Sequence, residues 1–434
     1  MNKATHQSSR NDLLKYLALA TCATALALIL RAFGYPTCRT DEHVWAELAS
    51  LMGDRPPISG PLHPVVLHWL VSQFGLSYAQ SLAALGVVTV FVVILMLLLS
   101  YRLLAVPRPG YALATLACSS YFWSPLLESR PQQLGQALVL LAVAIATRAL
   151  TQPIPRPWHW FALVGLAVLT AIFHILSYGI LVALTALLGL SFWVIGMSTK
   201  TRVTLAVLLV VSPVIIILWP DGPYQLMIDA IKRDHLLVPT NQFIAGAVAL
   251  VLAVAGVIVV VGRLTSRLIV KARRSLNAMP TTALTLAMVM ALGILALQAF
   301  LLPTVAWKPY GNSYLLFLVS QLGNLFFLFL LLRGFIHFSQ LVDSHSEGRY
   351  SREMLILATS VAVLAGAALL VSVYLKDTNW MLRVLNYGLV IIAPVASAGL
   401  QWLRRPHLMK WLCALCAVIS ILSVLRPPPL FNCG

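Results

Sequence analysis

The sequence predicts an all-α polytopic membrane protein of about thirteen transmembrane helices, and three observations carry that prediction. Of 434 residues, 60% are hydrophobic and 10% charged, against roughly 45–50% apolar and 25% charged in soluble domains. Apolar runs of the ~20 residues needed to cross a bilayer recur from Leu13 to Leu425. The 30 Lys and Arg residues lie in small groups between those runs, so the formal charge of +17 reads as a topology signal and no nucleic-acid partner is expected. A soluble globular enzyme is excluded.

Apolar length and charged or Pro/Gly boundaries place the spans near 13–33, 78–100, 110–127, 131–149, 158–175, 178–197, 203–219, 241–262, 283–303, 314–333, 354–374, 384–402 and 408–425. The first is too long for a secretory h-region and reads as a retained anchor. Between it and the second lies the largest outer segment, 34–77. Its run TDEHVWAELASLMGD sets Trp45, Leu48, Ala49 and Met52 at helical spacing, which suits a helix lying in the membrane interface with Thr40 as its cap. The next run, RPPISGPLHPVVLHWLVSQFG, has two Pro-containing turns before an apolar helix too short to span, which lies along or re-enters the membrane. The third span is short. A very tight turn at Phe173, His174, Ser177 and Gly179 separates the fifth and sixth. No repeat, low-complexity segment or soluble domain interrupts residues 1–434, which read as one transmembrane domain.

With the N-terminus cytoplasmic, the inner segments collect twenty of the 30 basic residues, including Arg263, Arg267, Lys271, Arg273 and Arg274. The C-terminus then lies outside, in an arrangement suited to a bacterial inner membrane. Nine of the 13 acidic residues fall outside, a bias that the positive-inside rule does not demand. Those outer acids are where chemistry is expected.

Asp41 and Glu42 follow a cap residue at the outer surface, with His43 beside them. Acids in a first turn favour the helix dipole by roughly 0.3–1 kcal/mol, which is one reason for their presence. The other is catalysis: a partly desolvated carboxylate there accepts a proton from a hydroxyl nucleophile or helps to hold a divalent metal. Glu128 and Arg130 flank Ser129 in a turn so short that both charges sit beside the membrane. They form either a solvated charge pair before Pro131 or part of a site. Lys232, Arg233 and His235 cluster in the outer run WPDGPYQLMIDAIKRDHLLVPTNQ, where cations suit a lipid phosphate or simply snorkel to headgroups. His174 lies at an outer turn, where it either faces an outer cavity or, as is commoner for a lone histidine at a membrane end, is a hydrogen-bonded packing residue. Lys308, Tyr310, Asn379, Trp380 and Arg383 suit sugar or phosphate contacts, or an interfacial belt. Cys413 and Cys416 share a helix face without the accompanying ligands of a metal site.

An Asp-Glu pair opening an interfacial helix, a turn, and then Leu-His-Pro-Val-Val-Leu-His-Trp resembles the first outer loop of the C-type glycosyltransferase superfamily, nearest its protein-mannosyltransferase and aminoarabinose-transferase branch. The resemblance implies Asp41 as the catalytic carboxylate, Glu42 beside it, and His63-Pro64 as part of the Pro-rich segment, although Val65 stands where that segment has its second Pro. It also implies a second acidic motif at Glu128. About thirteen spans, an inner N-terminus and an outer C-terminus accord with its larger branches.

The expected activity is transfer of a sugar from a polyprenyl-phosphate-linked donor to a lipid, glycan or protein acceptor on the outer face, by resemblance with inversion at the anomeric carbon. Membrane lipids are partners, and no nucleotide cofactor is expected because nucleotide sugars do not reach that side. Asp41, Glu42 and Glu128 are the catalytic candidates; Arg130, His63, Lys232, Arg233 and His235 are the substrate-binding candidates. The alternative is a transporter or flippase of lipid-linked glycans, which favours charges at mid-depth and discontinuous helices. A polysaccharide polymerase or ligase would use the same donors.

Overall fold

The computed structural model describes residues 3–33, 40–50, 62–127, 129–152, 155–195, 314–341, 348–375, 379–401 and 406–424, with the isolated positions 204 and 207. The expected spans at 241–262 and 283–303, and all but those two positions of 203–219, lie outside the described residues. Thirteen helices and no strand occur among the described residues. They are α1 (Lys3–Phe33), α2 (Thr40–Ser50), α3 (Leu62–Phe74), α4 (Tyr78–Leu103), α5 (Pro109–Ala117), α6 (Ser120–Leu127) and α7 (Pro131–Thr151). Then come α8 (Pro157–Phe173), α9 (Ile175–Ile195), α10 (Tyr314–Leu341), α11 (Gly348–Leu375), α12 (Asn379–Gln401) and α13 (Pro406–Val424).

Five of these segments are long and apolar enough to cross a membrane: Asp12–Ala32, Tyr78–Leu103, Pro131–Thr151, Gln321–Phe338 and Arg383–Gln401. The chain is therefore an α-helical integral membrane protein. Thirteen helices are not thirteen spans, because α2 and α3 are too short to cross and α5 and α6 are the two pieces of one expected crossing.

Local sequence sets the helix starts. Ser77 and Gln80 form a capping box on α4: Ser77 Oγ accepts from the Gln80 amide at 3.2 Å, and the Ser77 amide donates to Gln80 Oε1 at 2.9 Å. Just before it, Gly75 takes φ +63°, the left-handed turn that reverses the chain after α3. Pro109, Pro131 and Pro157 begin α5, α7 and α8, where a missing N–H costs nothing. A single extended residue, His174, separates α8 from α9.

Helix α7 is the centre of the first half, packed by α4, α8 and α9; α12 is the centre of the second, packed by α10, α11 and α5. Helix α1 lies at the periphery on α4. Where α10 crosses α12, a Cβ on Gly334 would collide with the Val395 carbonyl and one on Gly399 with that of Leu330, so small residues let the two backbones touch. Ala46, Ala49, Leu67, Leu82 and Tyr78 tie α2 and α3 onto the start of α4.

The third expected span, 110–127, is broken at Cys118–Ser119 rather than continuous. Polar side chains take up the groups freed by the break. Ser420 Oγ donates to the Cys118 carbonyl at 2.6 Å, and Trp123 Nε1 to that of Ala117 at 2.7 Å. Ser119 Oγ donates to Asn324 Oδ1 at 2.7 Å, while Asn324 Nδ2 donates to Ser120 Oγ at 3.1 Å and to Gln321 Oε1 at 2.8 Å.

The helix ends meet as alternation along the sequence requires. Arg148 Nε donates to the Leu103 carbonyl at 2.8 Å and Arg349 to that of Thr151, all residues of one expected side. Arg31, Glu42, Leu127 and Ser129 meet at the other, as do Ser177 and Tyr387.

Candidate functional site

Arg31 is the last charged residue of α1, and burying a guanidinium there requires both space and partners. Gly86 of α4 supplies the space, since a Cβ at that position would stand 2.8 Å from Arg31 Nη2. The partners are Glu42 Oε1 and the Leu127 carbonyl, each 2.5 Å from Nη2. Glu42 Oε1 also accepts from the Ser129 amide at 2.7 Å. The carboxylate is fully buried and the guanidinium nearly so. One buried ion pair thus clamps α2 to the end of α1 and to the turn between α6 and α7. A buried pair of this kind adds little net stability over an apolar one, but removing either member costs about 3–5 kcal/mol because the other charge is left unpaired.

His63, in the first turn of α3, lies in the same cluster. Its imidazole is 95% buried, and its ring meets that of Trp45 edge to face at 5.2 Å. Burial pushes its pKa down to about 4, with the charge of His174 adding to the fall and the Ser129 backbone and the Glu42 carboxylate opposing it. The ring is neutral at physiological pH, and its Nε2 has no hydrogen-bond partner. The buried hydroxyl of Ser129 is likewise unpaired.

Beside this cluster, His174 caps α9. Its Nδ1 accepts from the Ser177 amide at 3.3 Å and meets Ser177 Oγ at 2.9 Å. Ser177 Oγ lies 2.5 Å from the Tyr387 hydroxyl, which also stands 3.3 Å from His174 Nδ1. Gly135 of α7 makes room for this network, as a Cβ there would strike Ser177 Oγ.

The structure brings together Glu42, His63 and the 129–130 turn, three pieces separated in sequence and singled out there. It places Glu42 in an ion pair with its Oε1 engaged by two donors. Arg130 is half-buried, and its amide donates to Gln133 Oε1 at 3.2 Å. Asp41 stands on α2, but its side chain lies outside what is described, as does that of His43. Glu128, Lys232, Arg233 and His235 lie outside the described residues, together with Lys308 and Tyr310. Among the described residues no three His, Cys, Asp or Glu side chains gather to hold a metal ion.

Sequence reasoning missed Arg31, Ser129, Ser177 and Tyr387. An arginine ending an apolar span eleven positions before a carboxylate was a readable signal for the first. Ser177 and Tyr387 carry none, because only the packing of α7, α9 and α12 brings them together, and Ser129 acts through its backbone, which no side-chain pattern marks. No family model matches the chain, and no curated protein is similar to it.

Proposed function

We propose that the protein is a membrane glycosyltransferase that takes a sugar from a polyprenyl-phosphate-linked donor on the outer side of the membrane. The observation that supports this reading most is the clamp of Arg31 and Glu42 on the backbone of residues 127–129. It joins Glu42 at the opening of α2 to Leu127 and Ser129, while His63 at the start of α3 packs on Trp45 of α2, so segments next to those that the superfamily resemblance marks lie together.

In this reading Asp41 is the base that deprotonates the acceptor hydroxyl as it attacks the anomeric carbon, and the lipid phosphate departs with its charge stabilised by outer cations. Glu42 holds α2 in place. Glu128 is the second acidic candidate, Arg130 and His63 border the sugar, and Lys232, Arg233 and His235 face the phosphate. The N-terminus is cytoplasmic, and the about thirteen spans of the sequence include those outside the described residues.

The test is transfer by purified protein in bilayers supplied with labelled polyprenyl-phosphate sugars. Asp41→Asn keeps the cap and the size of the side chain and should lose at least about 100-fold in transfer while still binding donor. Near-normal transfer by this variant removes Asp41 from the role of base.

A second reading, a flippase of lipid-linked glycans, draws on the break between α5 and α6, since discontinuous helices mark transporter sites. It is favoured if no donor turns over while a lipid-linked glycan moves between leaflets.

A further inference from the structure

At the end of the bundle away from the Glu42 clamp, two arginines close the ends of two helices. A helix C-terminus leaves carbonyls unpaired, and a cation there meets both the carbonyls and the helix dipole. Arg148, in the last turn of α7, donates through Nε to the Leu103 carbonyl at the end of α4, at 2.8 Å. Arg349, in the first turn of α11, donates through Nη2 to the Thr151 carbonyl at the end of α7, and through Nε to Glu353 Oε1 at 3.1 Å. Arg148 and Thr151 lie within one turn of α7, so these hydrogen bonds bring both guanidiniums to the same helix end.

Capping uses only part of each guanidinium. Arg148 is exposed, and among the described residues neither of its Nη groups has a hydrogen-bond partner. Nη1 of Arg349 is likewise left over among them, on a side chain that is 66% exposed. Two Nη groups on one edge form the fork that takes two oxygens of a phosphate, and the bond through Nε fixes the direction in which that fork opens. The start of α8 sets its depth. Arg156 is exposed there, and Trp158, stacked on His159 at 4.0 Å, is 48% exposed. An exposed indole at a helix start belongs to the membrane–water interface, so the fork stands at the level of lipid headgroups.

We propose that Arg148, with Arg349 at the same helix end, binds the phosphate of an anionic phospholipid in the leaflet at that end of the bundle. Arg148, Arg349 and Arg156 outweigh Glu353, which favours a net anionic headgroup over a zwitterionic one. Phe161, 77% exposed and one turn beyond Trp158 on α8, offers the acyl chains an apolar face that a soluble phosphate would not use. The lipid meets the bundle where α4, α7 and α11 are joined, so its binding stabilises their packing. The inference stands apart from the sugar-transfer reading, and neither depends on the other.

Arg148→Gln separates the cap from the fork. The Gln amide nitrogen is as many bonds from Cα as Arg Nε, so a donor to the Leu103 carbonyl is kept while both Nη groups and the charge are lost. The whole chain in detergent is titrated with phosphatidylglycerol, phosphatidylcholine or inorganic phosphate, and followed by native mass spectrometry and thermal unfolding. Wild type should bind phosphatidylglycerol about tenfold more tightly than phosphatidylcholine, and Arg148→Gln should lose that preference while binding phosphatidylcholine as before. Equal binding of the two lipids by wild type overturns the proposal, as does an unchanged preference in Arg148→Gln. Inorganic phosphate that stabilises wild type as well as phosphatidylglycerol does overturns the lipid as occupant. A photoreactive phosphatidylglycerol needs no variant to fold. On wild type it should cross-link to the ends of α4 and α7 or the starts of α8 and α11, and cross-links confined to other segments overturn the site.

Discussion

His63 illustrates how a single side chain takes its properties from what folds over it. In the sequence it is an outer-loop histidine beside Pro64, with an ordinary pKa of about 6.5. In the fold Trp45 and the Ser129 backbone enclose it, and burial lowers that value to about 4. The consequence for stability has a definite sign. Between about pH 6.5 and 4 the unfolded chain takes up a proton that the folded ring refuses, so the contribution is fully present above 6.5 and is lost as pH falls towards 4. The full difference is about 3 kcal/mol, from roughly 1.4 kcal/mol per pKa unit. Thermal unfolding in detergent of wild type and His63→Phe measures it: wild type should lose stability relative to the variant across that window. A gap that stays constant from pH 7 to 4 shows that the ring is not buried neutral. Glu42, His174 and Arg31 are the ionisable groups of the cluster, and all three remain in both proteins.

At the scale of elements, the docking of α2 depends on a glycine in another helix. Replacing a helical Gly by Ala ordinarily stabilises the helix by about 1 kcal/mol. At Gly86 the added methyl would stand 2.8 Å from Arg31 Nη2, inside the ion pair that holds α2. Gly86→Ala should therefore preserve α4 yet disturb the clamp, with transfer activity falling about tenfold and α2 becoming open to protease. Activity equal to wild type, with α2 still protected, shows that the guanidinium relaxes around the methyl.

The same scale shows why the elements were only partly legible. Long apolar helices such as α4 and α7 follow from hydropathy alone, and Pro131 and Pro157 mark the starts of α7 and α8. The break in 110–127 does not. Its sequence, Ala-Cys-Ser-Ser, contains neither Gly nor Pro; the freed Cys118 carbonyl is taken up by Ser420, about three hundred positions away, and the Ser119 and Ser120 hydroxyls pair with Asn324, about two hundred away. Local pattern could place Glu42 at the start of a helix, but its partner had to come from a helix end whose depth only packing defines.

For the molecule as a whole, the paired helix ends turn orientation into a single decision. Leu103, Arg148, Thr151 and Arg349 are joined on one side, while Arg31, Glu42, Leu127 and Ser129 are joined on the other, so no one helix can be inverted without breaking these contacts. On the positive-inside rule the basic residues of the sequence lead us to propose the first side as the cytoplasmic one. Single cysteines at Ser59, Asn312 and Ser275, in a chain whose native cysteines have been replaced, test this with an impermeant thiol reagent on intact cells. Ser59→Cys and Asn312→Cys should label from outside, and Ser275→Cys only after the membrane is opened. Labelling of Ser275→Cys alone would place the Glu42 clamp and His63 in the cytoplasm. Nucleotide sugars are available there, so the physical reason for a lipid-linked donor would vanish with the orientation, even if every contact among the helices proved correct.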